Sequence, residues 1–277
     1  MSTSISEAAW SSLSQEADTA GLNLRLVLPR ERVEQGFRSK EEGAAEALTG
    51  ATHTRVFPGG SPGAYHPSYE CAVLLGTAGR RFWERFMALQ GSARDKEPNP
   101  MDRYTERVVE ELLEGLRGAD ATAVAAYPFE HPRRIMPFLA LLEGNSQLQF
   151  TPFGVGVDTE FGPWFAWRAV LLTVLPLPLS TLTGTSPCAA CPAPCVSACP
   201  AGVVAKERFD WQGCVSYRVH EQPCRSTCLA RMACPVGTEY RYGGEQMAYH
   251  YNASLRMIEA GGWAKQPRAD KSAVKPD

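Results

Sequence analysis

The sequence has no long, clean apolar run. Its most apolar stretch, Phe161 to Leu182, is interrupted by Arg168 and by prolines. It falls short of the roughly twenty apolar residues that a bilayer demands. No charge of one sign prevails either: 28 Lys and Arg face 30 Asp and Glu, for a net charge of −2. That balance argues against general nucleic-acid binding, which takes many cations to displace phosphate counterions. The first twenty residues carry no basic n-region, so no signal peptide is expected, and the protein reads as cytoplasmic with no membrane partner. With 44% hydrophobic residues the chain can build a core, which excludes wholesale disorder. Its 277 residues suit one large domain or two small ones at about 100–200 residues each. Before Cys188 there is only one cysteine, Cys71, and the other eight lie between Cys188 and Cys234. Where no export signal is present, such clustering points to metal ligation rather than disulfides.

The remaining pattern alternates strands with helices. A surface helix is expected over 6–20 and a strand over 22–28, followed by an irregular excursion over 36–68. The run CAVLLG from Cys71 suits a buried strand, and Phe82, Phe86 and Leu89 recur at helical spacing. Asn99-Pro100 reads as a helix start with a capping side chain, and Tyr104, Val108, Val109, Leu112, Leu113 and Leu116 mark one face. Strands are expected over 121–127 and 165–175, extended chain over 148–157, and helices over 133–143 and 245–260. The cysteine segment reads as irregular and the tail from Trp263 as disordered. Together these predict an α+β fold carrying a C-terminal metal segment.

The first cysteine group is C-x2-C-x3-C-x3-C-P: Cys188, Cys191, Cys195, Cys199, Pro200. The bacterial ferredoxin run is C-x2-C-x2-C-x3-C-P, and its fourth cysteine ligates the other cluster. One extra residue separates the second and third cysteines here. The second group is Cys214, Cys224, Cys228 and Cys234-Pro235. Both groups end in Cys-Pro, the pattern of a two-cluster exchange. On that logic Cys188, Cys191, Cys195 and Cys234 hold one [4Fe–4S] cluster, while Cys199, Cys214, Cys224 and Cys228 hold a second. A single cluster, or structural zinc sites with four thiolates each, stay open as alternatives. Cys71, inside an apolar strand, reads as a packed core thiol.

Two further stretches are distinctive: FGPWFAWRAVLLTVLPLP, Phe161 to Pro178, and RYGGEQMAYH, Arg241 to His250. Both resemble the cobalamin-processing CblC family, which has Phe-Gly-x-Trp-Phe-Ala-x-Arg and Arg-Tyr-x-x-Glu-Gln-x-Ala-Tyr. Shorter segments run collinear with it: Cys71–Leu75, Asn99-Pro-Met-Asp102 and Glu130-His-Pro-Arg-Arg134. The resemblance covers about residues 65–260. The cysteine segment is similar instead to epoxyqueuosine reductase, another cobalamin-binding family with two cubane clusters; its cysteine followed by Ser-Tyr matches Cys214-Val-Ser-Tyr217. The chain departs from both. Asp158-Thr159-Glu160 stands where CblC has His-Pro before its Arg-Phe-Gly. The reductase's Val-Asp-Ser-Ala-Pro stretch, with its proton-donating aspartate, and its tRNA-binding repeats have no match.

The two resemblances imply a nitroreductase-like mixed sheet flanked by helices, with a ferredoxin-like cysteine segment. The implied domains are a corrinoid-binding domain over 1–183, an iron–sulfur segment over 184–240, and a helix over 241–262 returning to the first domain. A cofactor of cobalamin beside two [4Fe–4S] clusters follows, as does a low-potential electron donor as partner. The implied activity is reduction of cobalamin or removal of its upper axial ligand. The alternatives are a cobalamin-dependent reductase of an organic substrate and a non-catalytic corrinoid carrier. A corrin ring asks for aromatic surface and amide partners; Trp164, Phe165 and Trp167 supply the first, and Gln147, Gln149, Gln246 and Asn252 the second. His131 and His250 are candidate cobalt ligands, with a loop-ordering role as the alternative. Arg168, costly to bury unpaired, is the candidate catalytic residue near the upper ligand, or else the partner of Asp158 or Glu160 in a structural ion pair.

Overall fold

Two runs too apolar for a half-exposed strand lie side by side in the middle of a sheet. The computed structural model describes residues 5–41, 66–90, 99–118, 122–130, 141, 149–181 and 185–263. It divides into two compact units, Met1–Leu148 with Trp164–Gly184, and Gln149–Pro163 with Thr185–Asp277. Residues 149–163 and the last helix therefore group with the cysteine segment, where the sequence suggested a helix returning to the first domain.

In the first unit, in chain order, stand α1 (Ile5–Ala20), β1 (Leu24–Pro29), α2 (Arg30–Glu41), β2 (Cys71–Ala78), α3 (Arg81–Gln90), α4 (Pro100–Arg117) and β3 (Val124–Ala126). Strands β4 (Gln149–Phe150) and β5 (Gly156–Val157) form a small hairpin in the second unit, and the chain returns to the first with β6 (Phe165–Thr173). The sheet of the first unit runs β1–β2–β6–β3. Every pairing is antiparallel, so among the described residues the sheet is not the mixed one expected. Each residue of β2 is buried, because both faces are covered. One face carries Leu26, Leu28, Ala72, Leu74, Val170 and Leu172, packed with Val33 of α2, Tyr69 and Leu141. On the helical side, Phe82 and Phe86 of α3 pack their rings against Tyr104 of α4 at 4.9 and 5.7 Å. Cys71 is a packed thiol whose Sγ lies 3.2 Å from the Leu175 carbonyl oxygen.

Helix α4 buries the face its spacing predicts. Its start differs from expectation: Asn99 makes no side-chain cap but adopts a left-handed φ of 55°. Its carbonyl accepts from the Asp102 and Arg103 amides instead. Helix α2 runs on to Glu41, into the stretch read as irregular. Residues 42–65, the helix expected over 133–143 (apart from Leu141) and the tail from residue 264 lie outside the described residues. None of the described helices is long and apolar enough to cross a membrane.

Candidate metal centre

The second unit continues with α5 (Pro194–Ser197), the hairpin β7 (Val204–Ala205) and β8 (Arg208–Phe209), α6 (Trp211–His220), α7 (Leu229–Met232) and α8 (Gly244–Gly261). Its short helices have a purpose in the cysteine pattern. Helix α5 carries Cys195, α6 carries Cys214 in its first turn, and Cys228 caps the start of α7, where its Sγ accepts from the Arg231 amide at 3.4 Å. The small core beneath them consists of Phe153, Ala193, Cys195, Val204 and Ala230. Ala193 adopts a left-handed φ of 56°, which turns its amide onto Cys191 Sγ at 3.4 Å.

The thiols gather in two sets. Burial pushes Cys195 up, and the neighbouring thiols of Cys234, Cys188 and Cys191 push it further. Cys234 is raised by burial with Cys188 and Cys191 beside it, while the Val236 amide and Arg241 oppose the rise. In the other set, burial pushes Cys214 up to about 12, with Cys228, Cys224 and Cys199 adding to it and Arg218 opposing. Cys224 is likewise raised by burial, with Cys228 and Cys199 beside it. Cys188, Cys191, Cys195 and Cys234 are thus neighbours, and so are Cys199, Cys214, Cys224 and Cys228. The second four all line one cavity of about 460 Å³, whose walls include Phe153, Phe209, Trp211, Arg218, His250 and Tyr251.

Four buried or half-buried thiols in each set are a donor set for a soft metal centre, and His250 lines the cavity of the second. Thiols held protonated by burial give up their protons to a metal, so uptake releases protons. Among the described residues, no three His, Cys, Asp or Glu side chains converge as ligands of a single ion do. A cubane gives each thiolate its own iron and spreads its ligands wider. The donor set fits such a cluster at both places.

Residues of both distinctive sequence stretches pack around the chain that follows Cys234. Gly162, at φ 59°, and Gly237, at φ 62°, press backbone on backbone. A Cβ on Gly162 would run into the Val236 carbonyl, and one on Gly237 into Phe161. Around this crossing Tyr240 donates to Glu160 at 2.7 Å, and its ring meets Phe161 edge-on at 4.7 Å. Arg231 donates to the Pro163 carbonyl and lies over the Tyr242 ring. The segment just after Cys234-Pro235 is therefore pinned by the Phe-Gly-Pro stretch.

Arg168 stands at an irregularity of the β2–β6 ladder. Between Leu75 and Gly76 of β2 the register shifts, so that Gly76 faces Trp167 and Leu75 faces Ala169. Arg168 is the extra residue of a bulge, which re-aims a side chain out of the ladder. Its guanidinium lies over the Phe82 ring at 5.4 Å, and its charge acts on Asp102. Asp158 is occupied elsewhere, accepting from the Glu160 and Phe161 amides, and Glu160 holds Tyr240. Asp102 was visible in the sequence only as part of Asn99-Pro-Met-Asp102.

The expected corrinoid contacts divide between the units. Phe165 and Trp167 are half-buried, edge to face at 6.2 Å, whereas Trp164 is wholly buried and offers no open face. Gln246 on α8 is buried too, with 3% of its surface exposed, because its position in the first turn faces inward. Asn252 is exposed on the same helix. His250 is half-buried, with Tyr249 and Tyr242 rings at 5.5 and 5.8 Å, and it lines the cavity of the second thiol set. Gln149 lies in β4, but its side chain, like His131 and Gln147 entirely, is outside the described residues.

No protein-family model matches the chain, and no curated protein matches it in sequence. Solved structures match it in fold. A selenomethionine-labelled epoxyqueuosine reductase superposes with a TM-score of 0.57 at 12% identity, over 87% of this chain and 69% of that one. The epoxyqueuosine reductase of Bacillus subtilis gives 0.56 at 13%, over 87% and 68%. A C. elegans B12-trafficking protein, CblC, gives 0.49 at 13%, over 95% and 99%. The chain shares the α+β fold of the epoxyqueuosine reductases and carries its cysteine-rich region toward the C-terminus.

Proposed function

We propose that this chain is an iron–sulfur reductase that binds cobalamin and either reduces it or removes its upper axial ligand. One observation carries the reading: eight clustered cysteines fall into two thiol quartets on a fold shared with epoxyqueuosine reductases. Cys188, Cys191, Cys195 and Cys234 hold one [4Fe–4S] cluster, and Cys199, Cys214, Cys224 and Cys228 the other. Such clusters supply one-electron transfer at potentials that the protein tunes between about −700 and +450 mV. The amides of Ala193 and Arg231, aimed at Cys191 and Cys228 sulfur, stabilise thiolate charge and take part in that tuning.

Cobalamin is the substrate in this reading, and the electrons come from a low-potential donor protein or reagent. Phe165 and Trp167 offer the open aromatic surface that a corrin face requires. Arg168, the extra residue of the β6 bulge, is the candidate positive charge for a departing anionic upper ligand. When the ligand is cyanide, one electron takes trivalent cobalt to the divalent state, and cyanide leaves with the bonding pair.

The shared fold also favours a second reading, in which bound cobalamin serves the reduction of a separate organic substrate. One neighbouring epoxyqueuosine reductase structure holds a modified tRNA stem loop, and this chain spans 68% of that protein. A single experiment separates the readings. Anaerobically purified protein, reduced with dithionite, is mixed with cyanocobalamin and followed by absorption. Decyanation with the protein present in catalytic amount supports the proposal. Binding without decyanation points to a carrier, and decyanation absent until an organic substrate is added points to the second reading. Cys195→Ser is expected to abolish turnover and spare cobalamin binding; turnover that survives it contradicts the electron-relay role.

A further inference from the structure

Among the described residues, no carboxylate is hydrogen-bonded to the buried guanidinium of Arg218. Arg218, on α6 four residues after Cys214, is 9% exposed. Its Nε donates to the Cys224 carbonyl at 3.1 Å, one terminal nitrogen to Ser254 Oγ at 3.3 Å, and the other to the Tyr251 carbonyl at 3.0 Å. Its carbon lies over the Tyr251 ring at 4.9 Å. All of these partners are neutral. Glu259 on α8 pairs with Arg225 at 3.3 Å, and Asp210 accepts from the Gly213 amide at the start of α6. Burying a cation this way is expensive unless an anion lies alongside. The groups that do lie alongside are the thiols of Cys214 and Cys224, both within reach of its field, and the cavity that the four cysteines of the second quartet line together with it.

We infer that Arg218 is the built-in counter-charge of the second cluster, a positioning residue that raises the potential of the cluster held by Cys199, Cys214, Cys224 and Cys228. The inference rests on the iron–sulfur reading above. A four-thiolate cluster is an anion that gains a further negative charge on reduction, so a fixed cation beside it favours the reduced form. The hydrogen bond to the carbonyl of Cys224, itself a ligand, holds that cation at a constant distance.

The test uses the full chain, assembled anaerobically, as wild type, Arg218→Gln and Arg218→Lys. Iron is counted in each, and a potentiometric titration followed by electron paramagnetic resonance resolves the reduction of the two clusters. In Arg218→Gln, one of the two reduction steps is expected to move about tenfold toward the oxidised form at fixed potential, about 59 mV more negative. The other step stays in place, and Arg218→Lys restores most of the shift because it restores the charge. Eight irons with neither step moved would overturn the inference and leave the iron–sulfur reading intact. Loss of iron in both Gln and Lys variants contradicts it too, since it assigns Arg218 a packing role that charge does not rescue. A wild type without iron overturns both.

Discussion

Arg168 and Asp102 illustrate how a charged pair persists beside an apolar sheet. The carboxyl of Asp102, in the first turn of α4, is raised above the ordinary carboxylate range by burial, and Arg168 opposes the rise without cancelling it. A raised folded pKa means that the folded chain keeps a proton the unfolded chain gives up. This contribution is fully present below the unfolded value and is lost as pH rises through the folded one. Asp102→Asn should therefore flatten the pH dependence of thermal stability between the ordinary carboxylate range and Asp102's raised value. A slope unchanged in the variant contradicts this. Gly162 makes the other prediction at this scale. Alanine there meets both a positive φ and the Val236 backbone, a cost of about 1–3 kcal/mol from strain alone. Gly162→Ala should lower the melting temperature and, by displacing the chain after Cys234, reduce the iron bound by the first quartet. Wild-type melting and wild-type iron would show the crossing to be dispensable.

At the scale of elements, the bulge in β6 depends on one small residue opposite. A Cβ on Gly76 would stand 2.9 Å from the Trp167 ring, so the glycine lets that ring lie flat across β2. Gly76→Ala overpacks the contact, and about 1–3 kcal/mol of destabilisation is expected by denaturant titration, with a changed tryptophan emission. Unchanged stability and emission would mean that the ring yields freely. The bulge was invisible in the sequence because register belongs to a pair of strands and not to either one. Long apolar runs were legible: β2, β6 and the buried face of α4 all stand where periodicity places them. Helix α2 was not, since its sequence is polar and, among its described side chains, Val33 alone joins the sheet core. Helix α6 hid inside the cysteine segment for a related reason, with only Val215 as a buried aliphatic side chain.

For the whole molecule, the legible part of the candidate site was the part fixed by chemistry. Two Cys-Pro endings predict an exchange of fourth ligands; the thiols of Cys234, Cys188 and Cys191 act on Cys195, and those of Cys228, Cys224 and Cys199 on Cys214. Contacts that depend on burial were harder to read. Trp164 and Gln246 looked like ligand contacts from their types, yet both face inward. The charge of Arg218 beside the thiols had no sequence signal because it acts through carbonyls and space, and Arg241 was visible only as the first residue of the Arg-Tyr stretch. The most direct measurement is the metal content of anaerobically purified protein. The proposed reading predicts eight irons and eight acid-labile sulfides per chain, falling to about four of each in Cys195→Ser as one quartet loses a ligand. Two zinc ions per chain, with no labile sulfide, would contradict it.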